Sequence, residues 1–195
     1  MIIKILKNIF IVFIAFLFAT ILRTYIFQIY YIPSLSMFPN ININDRVLVL
    51  KDKLFDIEYS VGDVIVFYSP ESSSPNNSEL LIENLKLWEL INNEGNKNQT
   101  VYIKRIVGTP GDEISINKNG EVFNNNIQVI TENVASTVIL DDILIKLSDD
   151  EYFVLGDNRD NSFDSRSFGP ITSSRIIGKA FFKIYPLDQI QNLND

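Results

Sequence analysis

The sequence predicts a mainly β protein in which an antiparallel β domain follows one N-terminal transmembrane helix. Two observations carry this prediction. Residues 8–22 form an apolar run without a charged side chain, whereas the chain beyond residue 32 consists of short runs rich in Val, Ile, Phe and Tyr, separated by turn residues. A chain of 195 residues suits one folded domain. We therefore expect a membrane anchor at residues 1–24 and a single β domain at residues 25–195.

The apolar run holds 15 residues, fewer than the roughly 20 that cross a bilayer core as a helix. A cleaved signal peptide, a buried core helix and a membrane anchor are the three interpretations. No small-residue cleavage pair follows the run, and aromatic residues typical of membrane interfaces come directly after it. We therefore favour the anchor. Because Lys4 and Lys7 precede the run and only Arg23 follows it closely, we expect a cytoplasmic N-terminus and an extracytoplasmic β domain.

The β domain contains six runs whose composition is typical of strands. Between two of them, Asn119-Gly120 predicts a tight hairpin, and Pro110-Gly111-Asp112 predicts a turn. These signals favour antiparallel pairing over a parallel sheet. The predicted strands are 46–50, 63–69, 100–107, 114–116, 151–155 and 176–185.

Residues 71–99 are predicted to be an insertion into this domain. The segment 71–78 is rich in Ser, Asn and Pro, and the segment 92–99 is rich in Asn, so both are predicted loops. Between them, Leu81, Leu85 and Trp88 recur at helical spacing, which predicts an amphipathic helix. We favour packing of this helix onto its own domain over a second membrane contact or a binding site for a partner.

The residue types that the chain lacks exclude several kinds of chemistry. With Cys 0 and His 0, the protein has no disulfide, no thiolate nucleophile, no Ser-His-Asp triad and no ordinary zinc site. A net charge of −7 argues against nucleic-acid binding, which relies on a basic surface. We expect no metal and no organic cofactor. Acid–base chemistry is left to Lys, Asp, Glu or Tyr.

A serine activated by a lysine is one route that remains open. The lysine must be neutral to accept a proton, and burial in apolar surroundings achieves this by disfavouring the ammonium. Lys104 lies in a hydrophobic predicted strand, where alternation places it on the same face as Tyr102 and Ile106. An exposed edge lysine is the alternative interpretation of the same pattern.

Two polar segments complete the set of candidate residues. Ser36 lies between Pro33 and Pro39, whose rings restrict the backbone and so could present the serine with little entropy left to lose. A stiff juxtamembrane linker is the alternative. The second segment, 156–166, is dense in Asp, Asn and Arg and predicts an ordered polar network. A calcium-binding loop is a further alternative, but the interleaved arginines would compete with the metal for the carboxylates.

Together these segments resemble the bacterial type I signal peptidases, the membrane-anchored Ser-Lys proteases of the S26 peptidase family that remove signal peptides from exported proteins. The similar segments are 33–39, 62–67, 102–112 and 156–169, and they occur in the family's order. The run GDNRDNSFDSR is the most specific of them. The resemblance implies a coiled, mostly antiparallel β-sheet for the catalytic domain.

The resemblance also implies a role for each matching residue. Ser36 matches the nucleophile, Lys104 the general base, and Ser162 the hydroxyl that hydrogen-bonds and orients this lysine. Ser34 matches the side chain that forms the oxyanion hole together with the Ser36 N–H group. Residues that match bracing positions are Arg105, Asp157, Asp164 and Arg166.

The sequence departs from the family's common pattern at Asn40, where Thr is usual, and at Phe168, where Trp is frequent. We expect neither change to touch the proposed chemistry.

The implied substrates are signal-peptide-bearing preproteins, bound as an extended strand with small side chains before the cut. The implied partners are these preproteins and the lipid bilayer of the bacterial cytoplasmic membrane, and we expect a monomer. Two alternative functions remain. One is a conjugation-type maturation peptidase of the same superfamily, and the other is an inert, membrane-tethered domain that only binds peptides.

Overall fold

The structure is a computed structural model that describes residues 2–52, 57–72, 100–134 and 137–194. Its first element is helix α1 (Ile2–Tyr25), which contains the predicted apolar run. From Lys4 to Tyr25 this helix is long and apolar enough to cross a membrane. Most of its described side chains are exposed, but Thr20 and Thr24 near its end are buried.

Twelve strands and one further short helix make up the described part of the β domain, so the predicted mainly β, antiparallel fold is confirmed. Short 3₁₀ turns lie at Arg159–Asn161, Ser173–Arg175 and Leu187–Gln189. The strands are β1 (Phe27–Tyr31), β2 (Arg46–Lys51), β3 (Val64–Tyr68), β4 (Val101–Gly108), β5 (Glu113–Ile116), β6 (Val122–Asn124), β7 (Ile127–Gln128), β8 (Ile143–Lys146), β9 (Glu151–Leu155), β10 (Ile171–Thr172), β11 (Ile176–Tyr185) and β12 (Gln191–Asn192), and helix α2 is Ser165–Phe168.

The strands form two antiparallel sheets. The larger has the order β1-β2-β11-β3-β4-β9-β10, with β12 added beside β11. The smaller has the order β7-β6-β5-β8. Strand β11 shifts register against both of its long neighbours, which bends the sheet locally. Strand β4 lies between β3 and β9, so its residues are covered by neighbours on both edges.

Three clusters of buried apolar side chains hold the sheets together. The first includes Met37 and Val49 and lies under the segment that joins β1 to β2. The second lies between the two sheets, and the third lies on the other face of β3 and β4, around Phe67 and Ile106. Because apolar burial is the main favourable term in folding, these clusters fix β4 and the β1–β2 connection relative to each other.

The six strands predicted from sequence are all present, within one or two residues of their predicted ends. The predicted turn at Pro110–Asp112 is present, with Gly111 at a φ of 81°. The hairpin predicted at Asn119-Gly120 joins β5 to β6, but its loop spans 117–121 because Asn117 and Glu121 close it with side-chain and backbone hydrogen bonds. Strand β1 was not predicted, because its aromatic residues were interpreted as typical of a membrane interface. The other strands that were not predicted have only two to four residues, too few to show a clear periodicity; they are β6, β7, β8, β10 and β12. The amphipathic helix predicted within 71–99 lies outside the described residues.

Candidate active site

Ser36 lies in the connection between β1 and β2, where contacts of the adjacent residues fix the backbone. Met37, the next residue, is fully buried in the first core cluster. From the polar segment after β9, the backbone N–H of Asn158 donates to the Ser36 carbonyl at 3.0 Å, and its side chain donates to the Leu35 carbonyl at 3.0 Å. Ser36 itself is 8% exposed. The serine is therefore presented on a fixed backbone.

Lys104 lies in the middle of β4 and reaches the serine directly. Its Nζ atom donates to Ser36 Oγ at 2.8 Å, across 68 residues of sequence. The side chain is 3% exposed, and desolvation by burial lowers the pKa of Lys104 to about 8, against the weaker opposing effect of Asp164 and Asp157. Among the described residues, Lys104 forms no ion pair. A hydroxyl and a readily deprotonated amine thus share one hydrogen bond.

Tyr102, whose ring lies beside the lysine amine, belongs to an aromatic cluster. The ring centroid of Tyr102 lies 5.7 Å from Lys104 Nζ, as the predicted strand alternation requires. Phe168 stacks on Tyr102 at a centroid distance of 6.4 Å, and Phe163 contacts both rings. Phe168, one of the two positions that depart from the family pattern, therefore packs against the ring that lies beside the lysine amine.

Arg105 points away from the lysine and is paired with Asp157. The two side chains form a bidentate ion pair with N···O distances of 2.9 and 2.8 Å, and both residues are buried. Asn40 Nδ2 also donates to Asp157 at 2.8 Å. Asn40, the other position that departs from the family pattern, therefore binds the carboxylate that is paired with Arg105 on the lysine strand.

A second bidentate ion pair joins Asp164 to Arg166, with both N···O distances at 2.9 Å. Asp164 is fully buried, caps helix α2 and accepts a hydrogen bond from the backbone N–H of Gly156 at 3.0 Å. Arg166 donates in turn to the Arg159 carbonyl at 2.7 Å. The polar segment 156–166 therefore forms an ordered network of hydrogen bonds, as the sequence predicts.

Two further serines lie near the dyad. Ser34 is exposed, and its Oγ atom lies 3.4 Å from Ser36 Oγ. The Ser162 hydroxyl is buried and makes no hydrogen bond within the described part of the chain. The bond from Ser162 to Lys104 that the resemblance implies is therefore not formed in this structure. The Ser162 hydroxyl packs over Gly156, where an added Cβ would lie 2.2 Å from it and 2.5 Å from the Ser36 carbonyl oxygen.

The sequence thus predicted the residues that the structure brings together around Ser36 and Lys104. It did not predict three residues that position them, Asn158, Gly156 and Asn40. Asn158 and Gly156 belong to the polar segment 156–166, but the composition of this segment does not indicate which of its residues contacts Ser36. Asn40 was noticed only as a departure from a pattern. Its role depends on a contact across 117 residues of sequence, which no local signal reveals.

Comparison with known proteins identifies the family. The family model for signal peptidase, peptidase S26, matches residues 5–185. Signal peptidase I of Leptolyngbya laminosa is 32% identical over 173 residues, covering 88% of this chain and 75% of that protein. A probable signal peptidase I-1 of Synechocystis is 31% identical over 180 residues, covering 92% of this chain and 82% of that protein.

Two further proteins are similar to this chain. Signal peptidase I S of Bacillus subtilis is 28% identical over 193 residues, covering 93% of this chain and 89% of that protein. A crystal structure of a signal peptidase I from Enterococcus faecalis superposes with a TM-score of 0.43 at 21% identity, covering 63% of this chain and 97% of that one. The family match includes Ser36, Lys104 and the polar segment 156–166, and it covers nearly the whole β domain. The chain therefore belongs to the signal peptidase family, peptidase S26, and is a serine endopeptidase of the signal peptidase I type.

Proposed function

We propose that this enzyme cleaves N-terminal signal peptides from exported preproteins, with Ser36 as nucleophile and Lys104 as general base. The observation that carries the proposal is the 2.8 Å hydrogen bond between Lys104 Nζ and Ser36 Oγ, made by a lysine that is only 3% exposed. A nucleophile and a base within hydrogen-bond reach, with the base desolvated, meet the geometric and electrostatic requirements for nucleophilic catalysis.

The reaction begins when neutral Lys104 accepts the Ser36 proton as the hydroxyl oxygen attacks the scissile carbonyl. The tetrahedral intermediate collapses when the protonated lysine donates this proton to the leaving amine, which departs with the mature protein. The signal peptide is then held as an ester on Ser36. Lys104, neutral again, accepts a proton from water, and the hydroxide releases the signal peptide by the same sequence of steps.

Ser34 is proposed to stabilise the oxyanion together with the Ser36 N–H group. Its hydroxyl lies beside the nucleophile and is exposed, so it is free to turn toward a bound carbonyl. Loss of one oxyanion donor costs about 100- to 1,000-fold in rate. We expect Ser34→Ala to fall within this range and to be less damaging than loss of either dyad member.

Ser162 and the two ion pairs are proposed to orient the dyad rather than to react. The buried Ser162 hydroxyl, packed over Gly156 beside the Ser36 carbonyl, is available to accept a hydrogen bond from the lysine ammonium during turnover. Arg105 and Asp157 hold the lysine strand, and Asp164 with Arg166 holds the loop that carries Ser162. Both carboxylates are paired with arginines, and their tendency to raise the pKa of Lys104 is smaller than the opposite effect of desolvation.

Helix α1 is proposed to anchor the enzyme in the bacterial cytoplasmic membrane, with its N-terminus in the cytoplasm and the β domain outside. Its length, its apolar exposed surface and the excess of positive charge before its apolar run support this arrangement. The substrates would then be preproteins whose own apolar signal segment lies in the same bilayer. We expect the enzyme to act on these substrates as a monomer. The proposed reaction uses neither a metal nor an organic cofactor.

The test is cleavage of a purified preprotein by the full chain in detergent. Ser36→Ala and Lys104→Ala are each expected to abolish cleavage while retaining the thermal unfolding transition. Matched controls are Ser60→Ala and Lys118→Ala, which replace an exposed serine and an exposed lysine outside the site. Near-normal cleavage by either dyad variant would refute the proposal.

Mapping of the cut site separates the related alternative. Cleavage after small residues at the end of signal peptides supports preprotein processing. Cleavage of a conjugation-type precursor with no cleavage of preproteins would assign the same dyad to maturation instead.

A further inference from the structure

Lys51, at the end of strand β2, is a buried lysine that contacts the end of the N-terminal helix. The residue is 2% exposed, and its Nζ atom donates a hydrogen bond to the Thr24 carbonyl at 3.1 Å. Thr24 belongs to the last turn of α1 and is itself fully buried. The last carbonyls of a helix lack intrahelical partners and carry partial negative charge, so a cationic donor is favourable there.

The backbone of the same residue holds the chain where the helix becomes a strand. The Lys51 N–H group donates to the Ile26 carbonyl at 2.7 Å, and Ile26 donates to the Leu22 carbonyl at 2.9 Å. Immediately afterwards, β1 pairs with β2 from Phe27 onward. One residue of the catalytic sheet therefore binds both the last turn of the helix and the single residue that links it to β1.

This junction lies close to the nucleophile along the chain. Ser36 follows Tyr25 by 11 residues, a stretch that cannot exceed roughly 40 Å even when fully extended. Strand β1 and the buried Met37 fix most of that stretch relative to the sheet. The direction of α1 relative to the sheet therefore determines the height at which Ser36 stands over a bilayer that contains α1.

We propose that Lys51 is a positioning residue that locks the anchor to the catalytic sheet and thereby selects the cleavage position in membrane-embedded substrates. The proposal rests on the proposed function, because it requires a signal segment and α1 to share one membrane. A signal segment in the bilayer places its cut site at a set height, and a rigid junction places Ser36 at the matching height. A loose junction would let Ser36 sample several heights and lose this match.

The test compares two substrates of the full-length enzyme in lipid vesicles. One is a preprotein inserted in the same vesicles, and the other is a short soluble peptide that carries the same cut site. Lys51→Met keeps the apolar stem and removes the amine. We expect unchanged peptide cleavage, a preprotein rate lowered between about 10- and 100-fold by misplacement of the reacting atoms, and additional cut positions in the preprotein.

Two further variants make the comparison specific. Lys51→Arg keeps a cationic donor and is expected to restore most of the preprotein rate. Lys146→Met removes an exposed lysine that also donates to a backbone carbonyl, that of Gly111, and is expected to change neither rate. Equal loss on both substrates, in Lys51→Met and in Lys51→Gln, would mean that Lys51 supports the fold as a whole and would overturn the proposal, as would no change on either substrate.

A physical measurement on the same variants does not depend on activity. The chain has no cysteine, so spin labels can be attached at Phe18→Cys in the helix and Ser60→Cys in the β domain, both exposed positions. We expect a narrow distribution of label distances that broadens in Lys51→Met. An equally narrow distribution in both proteins would overturn the proposal. If the wild-type enzyme cleaves neither substrate, the proposed function fails, and the label distances still report on the junction.

Discussion

At the scale of single residues, two buried lysines differ in their partners, and this difference supports the proposed role of Lys104. Lys183 and Lys104 are each 3% exposed. Lys183 has a carboxylate neighbour, Asp45, at 3.6 Å, whereas Lys104 donates to the Ser36 hydroxyl and, among the described residues, has no ion-pair partner. An ion pair compensates part of the cost of burying a charge. Without one, desolvation lowers the pKa of Lys104 to about 8, which makes it usable as a base.

The lowered pKa predicts the pH dependence of catalysis. Only the neutral amine of Lys104 can accept the Ser36 proton, so kcat/KM for a soluble peptide should rise with pH and level off above the lysine pKa of about 8. A profile measured with the purified enzyme checks this. A rate that is flat between roughly pH 6 and pH 9, a range that brackets this pKa, would contradict the assignment of Lys104 as base.

The same shift predicts that Lys104 destabilises the fold. The pKa of Lys104 falls from 10.5 to about 8 on folding, so the unfolded state binds more protons between these values and this residue's contribution to the free energy of unfolding rises with pH through that window. Below about pH 8 its burial costs up to about 3 kcal/mol. Lys104→Met should therefore raise the Tm at pH 6, and its advantage should shrink as the pH rises; a lower Tm at every pH would contradict this.

At the scale of elements, the site forms where the loop after β9 packs against the connection between β1 and β2. The segment after β9 binds the nucleophile segment through Asn158 and leaves room for it only because residue 156 is glycine. Gly156 does not occupy a left-handed conformation, so its requirement is one of space rather than of backbone strain. The hydroxyl of Ser162 and the carbonyl of Ser36 fill the space where a Cβ would lie.

Gly156→Ala should therefore separate the two loops. The added methyl would meet the Ser36 carbonyl and the Ser162 side chain, and a displacement of about 1 Å at the reacting atoms can cost about 100-fold in rate. The expected result is a fall in kcat of that order in the peptide assay. Gly111→Ala is the control, because it lies in a turn at positive φ with open space around it and should lower the Tm without lowering kcat. A Gly156→Ala enzyme with normal kcat would show that the loops can move apart freely.

At the scale of the whole molecule, one buried ion pair joins segments that are far apart in the chain. Arg105 binds Asp157 and also donates to the carbonyls of Gly62, before β3, and Leu193, near the end of the chain. Asn40 from the nucleophile segment completes the group. Arg105 and Asp157 therefore hold together the lysine strand, the loop after β9 and the segment around Leu193.

Removal of one partner should destabilise the entire domain. Asp157→Ala leaves the Arg105 guanidinium, which is 8% exposed, without its carboxylate, and an uncompensated buried charge typically costs about 3–5 kcal/mol. Chemical denaturation should show this loss in the free energy of unfolding, with the exposed Asp142→Ala as control. The double variant Arg105→Met/Asp157→Leu should lose less free energy of unfolding than the sum of the losses in Arg105→Met and in Asp157→Leu. Strict additivity would contradict direct coupling.

The long strands and the helix were predictable because their signals are local. Alternation along 101–107 and the charge-free run of 15 residues depend only on neighbouring residues, as does the turn at Pro110–Asp112. The short strands β7, β10 and β12 were not predictable, because two residues carry no period and their pairing is set by the longer strands beside them.

The sequence by itself determined which residue types were available for chemistry. Without histidine and cysteine, a base had to come from lysine or an acidic side chain, and three short segments together indicated the family. Only the tertiary structure decided that Lys104 meets Ser36 across 68 residues, that Asp157 is occupied by Arg105 and Asn40, and that Lys51 closes the end of the helix. The physical reason is that local propensity acts between neighbours in the chain, whereas desolvation, charge pairing and lack of space depend on which distant segments fold against each other.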